Sequence, residues 1–116
     1  MPFYLHQEAL YGQPVTLAHR ETVELEADDI LRGAYEGNVA FLVVGDPLSA
    51  TTHSDLILRA RHYQAPGASE PTPVSVKIIH NASITTALGS SGLAGYNFGQ
   101  TVSIPFWTDD WRPDSW

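Results

Sequence analysis

The spacing of hydrophobic and polar positions changes several times along the chain, and each change marks an element. Residues 3–11 read as the end of a helix stopped by Gly12, and Val15 to Ala18 as a short strand. From Arg20 to Ala34 the apolar residues Val23, Ala27, Ile30, Leu31 and Ala34 recur at helical spacing, which predicts one helix closed by Gly33 and Gly37. Glu21, Glu24 and Asp28 fall on its opposite side and read as a solvated face. Glu21 and Glu24 also lie near the helix start, where the macrodipole favours acids. Val39 to Val44 is apolar on both faces, as in a central parallel strand covered by helices on each side, and Gly45-Asp46-Pro47 ends it. Thr52-His53-Ser54-Asp55 has the form of a capping box, followed by a helix with Leu56, Ala60 and Tyr63 on one stripe. Val74 to His80 reads as a second buried strand, Ala82 to Leu88 as a short helix, and Thr101 to Trp107 as a third strand.

Strands alternating with helices predict an α/β fold: a mostly parallel sheet with flanking helices, in which Val39–Val44 and Val74–His80 are adjacent and parallel. Between them residues 64–73 carry Pro66, Pro71 and Pro73 among small polar residues, which predicts a mobile surface loop. No internal repeat is visible and no domain boundary falls inside the chain, although Trp111 to Trp116 reads as the start of a linker.

Ligands of such sheets sit beyond the carboxyl ends of the strands. Two segments belong there: Gly45 to His53, after the first central strand, and His80 to Ile84, after the second. Parallel neighbours would bring both to one rim, where an acid, hydroxyls and small residues converge. From pattern alone, a small-molecule site and ordinary loop chemistry are equally good readings.

Composition narrows the classes. A chain of 116 residues holds one domain and buries roughly 65% of the surface its unfolded form exposes. Charged residues are 16% of the chain, below the ~25% of an average domain, so it reads as folded rather than disordered. Thirteen acids against six Lys and Arg, a net charge of −7, oppose binding to a phosphate backbone. With no cysteine there is neither a disulfide framework nor a thiolate metal site, which agrees with a cytosolic setting. The first ten residues lack a basic start followed by an apolar run, and the longest apolar stretch is far short of the ~20 residues that span a membrane, so the chain reads as soluble. His53 and His80 flank the rim with Asp46, but two histidines and an acid read as loop and capping residues rather than metal ligands. Asn81-Ala82-Ser83 fits a glycosylation pattern that is idle in the cytosol, and Gly89, Gly92 and Gly95 follow a helix, a context for turns rather than for a phosphate loop.

Three runs, in one order, resemble the diphthine synthase family. They are Phe41 to Pro47 with Ala50 to Leu56, then His80-Asn81-Ala82-Ser83-Ile84, then Tyr96 to Ser103 with Phe106 to Asp109 and Trp111-Arg112-Pro113. The resemblance covers roughly residues 8–116 and is interrupted chiefly by the Pro-rich loop, which looks like an insertion.

The resemblance implies the tetrapyrrole methylase fold, two α/β domains with S-adenosylmethionine in the cleft between them. Carried over by position, the cofactor contacts fall on Asp46, Ser49, Ser83 and Ile84. Asp46 would meet either a ribose hydroxyl or the cofactor's ammonium. Ser49 departs from the glycine usual there, which would strain the backbone by about 1–2 kcal/mol if that residue adopts positive φ. The family opens with a strand and a Gly-rich loop that would precede this chain, and its second domain would follow Trp116. Residues 1–116 are therefore expected to be a single, partial cofactor-binding domain with an exposed sheet edge that favours aggregation or a homodimer. The implied activity is cytoplasmic methyl transfer to a modified histidine of elongation factor two, with no catalytic base assigned. Two other readings are a non-catalytic or partner-binding remnant of the same ancestry and a tetrapyrrole-type methylase acting on a small molecule.

Overall fold

The computed structural model describes residues 3–114. Helices α1 (Phe3–Tyr11), α2 (Arg20–Glu24), α3 (Asp28–Glu36), α4 (His53–Arg61) and α5 (Ile84–Ala87) follow one another, with short 3-10 turns at Leu88–Ser91 and Gly95–Asn97. The chain divides into two compact units, one running to Ala82 and the other starting at Ser83.

In the first unit, α1 stops where expected. Gly12 takes φ +63° and its amide reaches back to the Glu8 carbonyl at 2.8 Å, a close that a side chain would oppose. Val15 is not in a strand: its amide donates to Glu8 Oε1 at 2.9 Å, which ties the following chain to α1 instead.

The helix expected from Arg20 to Ala34 is two helices. At the break, both Leu25 and Glu26 donate to the Glu21 carbonyl, and the Glu24 carbonyl accepts Arg59 Nη2 at 2.8 Å. The chain then restarts at Asp28-Asp29, where the new helix start favours acids. The turn keeps Val23, Ala27 and Leu31 all buried. Glu24 is correspondingly not on a free solvated face. Its carboxylate pairs with Arg20 at 2.9 Å and accepts the Thr52 hydroxyl at 2.9 Å, joining α2 to the start of α4.

The stripe on α4 packs as predicted. Ala60 and Tyr63 join Leu31 and Ala65 in the core, with Leu56, Ala68 and Val74 against it. The capping box does not form, because Thr52 gives its hydroxyl to Glu24 and Asp55 turns forward to Arg59 at 2.7 Å. Ala65 belongs to the loop expected to be mobile. That loop is pinned: Thr72 N donates to the Tyr63 carbonyl at 2.7 Å, and Thr72 Oγ1 accepts the Ala65 amide at 2.7 Å.

The parallel sheet is the main departure. Among the described residues there is no strand, and 39–44, 74–80 and 101–107 run without a ladder. A ladder needs two segments bonded along their length. Here a backbone bond joins the first two only just past their carboxyl ends, Asp46 N to Ala82 O at 2.8 Å, while Val74 N, at the start of the second, donates to Ala60 O of α4 at 2.8 Å. Val39, Leu42, Val44, Val76, Ile78 and Ile79 stay exposed as a result.

The second unit begins with α5, inside the span 82–88 read as helical, and continues through the two 3-10 turns. Thr108 and Trp111 exchange backbone hydrogen bonds of 3.1 and 3.3 Å around a tight turn. No helix of the described residues is long and apolar enough to cross a membrane.

Candidate functional site

Gly45 turns the chain at the end of the first extended segment with φ +86°, and a Cβ there would stand 3.2 Å from the Ala82 carbonyl. Glycine thus serves twice, allowing the left-handed turn and the close approach of 80–82. Asp46 follows and is the centre of the junction. Its Oδ1 accepts the Leu48 amide at 2.9 Å, closing a local Asx turn. Its Oδ2 accepts the Asn81 amide at 3.2 Å and lies 2.8 Å from His80 Nδ1. The ends of the two apolar segments therefore meet at Asp46, although no sheet carries them.

The Asp46 side chain is 9% exposed. The Leu48 amide, then His80 and the Asn81 amide, hold its carboxyl below the usual aspartate range and outweigh the opposing effect of burial. A carboxylate offers about four acceptor positions. Three are occupied internally, so one remains, on Oδ1. A two-point grip on a ribose diol would require breaking a bond to His80 or Asn81. One ligand donor is what Asp46 can accept intact.

The depressed pKa sets the sign of a pH effect. The clamp is fully present above the unfolded aspartate value near ~3.9 and is lost as pH falls through the lower folded value. Amide proton shifts of Leu48 and Asn81, followed from neutral to acid pH, should move together with a midpoint below that reference. Glu24, held down chiefly by Arg20 and then by Thr52, releases the start of α4 in the same direction. A midpoint above the ordinary aspartate range would contradict this assignment.

Ser49 lies in the same loop, its amide 3.4 Å from the Asp46 carbonyl. Its φ is not positive: Ala50, at φ +51°, is the non-glycine residue with that conformation among those described. Serine is thus unstrained at 49, and the strain of roughly 1–2 kcal/mol falls on Ala50. Ser83 and Ile84 open the second unit. Ser83 caps α5, accepting the Thr85 amide at 3.2 Å through Oγ, and Ile84 is exposed in its first turn.

The two histidines considered as ligands have other partners. His53 Nδ1 sits 2.9 Å from the Pro47 carbonyl and its ring meets Phe41 edge-on at 5.2 Å. His80 is bound to Asp46. A separate groove of about 450 Å³ opens over the core between Leu31, Arg32, Arg59, His62 and Tyr63, and none of the four predicted contacts lines it.

No family model matches the chain. Among curated proteins it is 57% identical over 109 residues to diphthine methyl ester synthase of Candida glabrata, and 54% over 109 residues to that of Saccharomyces cerevisiae. The human diphthine methyl ester synthase is 55% identical over 108 residues. These matches cover 93–94% of this chain and 33–35% of the relatives. Over that span, the chain belongs to the diphthine synthase family. It spans about a third of the length of the curated relatives it matches.

Within this segment, the first two of the three motifs that carried the resemblance are the ones that build the Asp46 junction. Two features were missed in the sequence. One is the hydrogen bond between His80 and Asp46, two residues that the sequence set on the same rim without pairing them. The other is Glu24 as a link between α2 and α4, for which an acid at helical spacing gave no sign.

Proposed function

We propose that this segment contributes the S-adenosylmethionine side of a diphthine synthase, a cytoplasmic methyltransferase of diphthamide biosynthesis acting on the modified histidine of elongation factor two. Family membership supports the chemistry, and the observation that carries the site is the Asp46 carboxylate, three-quarters occupied internally with one acceptor position open. The residues present fit such a ligand. Asp46 Oδ1 takes one hydroxyl or ammonium donor, and Ser49 sits on unstrained backbone beside it. The family resemblance also assigns cofactor contacts to Ser83 and Ile84, in the second unit. When bound, the cofactor supplies an activated methyl group. The acceptor, if a carboxylate with a free pKa near ~4, is already ionised at neutral pH, so no residue of this chain is assigned as a base. Holding the reactants in line is the contribution left to the protein, and it can be large.

In a protein of the relatives' length, 39–44 and 74–80 would gain neighbours and pair as parallel strands, with residues 1–116 as part of one α/β domain. Their continuous apolar character and joined ends support this.

The test is a chimera in which the matched span of the Saccharomyces cerevisiae relative is replaced by this chain. It should bind S-adenosylmethionine by calorimetry and methylate elongation factor two. Asp46→Ala should weaken binding by roughly ten- to a hundredfold, as expected for a hydrogen bond to a charged group. Unchanged affinity in Asp46→Ala would remove Asp46 from the site.

A further inference from the structure

We infer that His80 is a positioning residue for the Asp46 loop, holding the carboxylate so that Oδ1 faces a ligand; this rests on the cofactor reading above. Ionised Asp46 has no hydrogen to give, so His80 Nδ1 carries the hydrogen of their 2.8 Å bond. The imidazole therefore acts as a donor whether or not its other nitrogen is protonated. Its ring is mostly in solvent while the carboxylate it holds is 9% exposed, so the bond reaches from the surface into the junction.

The geometry gives His80 a specific task. Asn81 N and His80 Nδ1 share Oδ2, and Leu48 N takes Oδ1. Both carboxylate oxygens are thus fixed from different segments, and rotation about the Cβ–Cγ bond is blocked. Without His80, Oδ2 keeps only the longer 3.2 Å bond to Asn81, and the carboxylate can turn away from Leu48. The loop from Gly45 to Ala50 would then lose its Asx turn. His80 is not expected to touch the cofactor itself.

Two readouts separate this role from a general structural one. Amide hydrogen exchange in the chain itself should show the Leu48 amide exchanging about tenfold faster in His80→Ala, the scale of one lost hydrogen bond. In the chimera, His80→Ala should weaken S-adenosylmethionine binding by a similar factor. His80→Asn, whose amide nitrogen falls near the place of Nδ1, should recover most of both. Unchanged Leu48 exchange in His80→Ala, or an asparagine variant no better than alanine, would overturn the assignment. Failure of the unaltered chimera to bind cofactor would sink the methyltransferase reading instead, and the exchange rates would still decide for or against the His80 clamp.

Discussion

Leu31→Ala is expected to destabilise the first unit by about 2–5 kcal/mol, the usual range for truncating a buried leucine. Leu31 is 4% exposed and is the one large aliphatic side chain in a core cluster otherwise made of Ala60, Tyr63 and Ala65. Ala60 and Ala65 carry only methyl groups, so these neighbours can refill little of the void. At about 4–8 °C per kcal/mol for a domain of this size, the loss should be plain in thermal denaturation followed by circular dichroism. Leu25→Ala is the control: Leu25 is 75% exposed and should shift stability by no more than ~0.5 kcal/mol. Equal effects of the two substitutions would mean that the core has been wrongly located.

The second large effect concerns the chain on its own. It is expected to bind S-adenosylmethionine at least about a hundredfold more weakly than the chimera, with no detectable methylation of elongation factor two. The known relatives are some three times as long, and ligand pockets normally bury ~70–90% of their ligand. Each missing hydrogen bond costs about 0.5–1.5 kcal/mol, and every ~1.4 kcal/mol is a factor of ten. The open segments add a second consequence. Val44 and Ile79 are 89% and 75% exposed, so the free chain should self-associate, which sedimentation would register as a concentration-dependent mass. Equal cofactor affinity in the chain and the chimera would show that this segment needs no further wall.

Legibility in the sequence followed the range of the interactions. The stop of α1 at Gly12 and the stripe on α4 depend on neighbours within a turn or two, and both were readable. The break between α2 and α3 was not, because the helical period runs unbroken through Ala27 while the decisive partner of the Glu24 carbonyl is Arg59, 35 positions away. Thr52 failed as a cap for the same reason: Glu24, 28 positions away, took its hydroxyl. The apolar runs at 39–44 and 74–80 announced strands that do not form here: a parallel ladder needs a partner along its whole length, and local pattern cannot supply one. Motifs located Asp46 just past the end of an apolar run. Its pairing with His80, 34 positions on, required coordinates.

The loop closed by Thr72 also bears on how this segment could vary in length. The chain leaves the core at Tyr63 and returns at Thr72 through contacts of 2.7 Å, so both ends of the excursion sit at one point. Residues added between Ala68 and Thr72 would cost little beyond closure entropy, about 0.6 kcal/mol for each doubling of the loop. Residues added between Tyr63 and Ala65 would instead drag a core methyl out of place. Length drift in this lineage should therefore be lopsided, accumulating on the Ser69 to Pro71 side and leaving the approach to Ala65 constant.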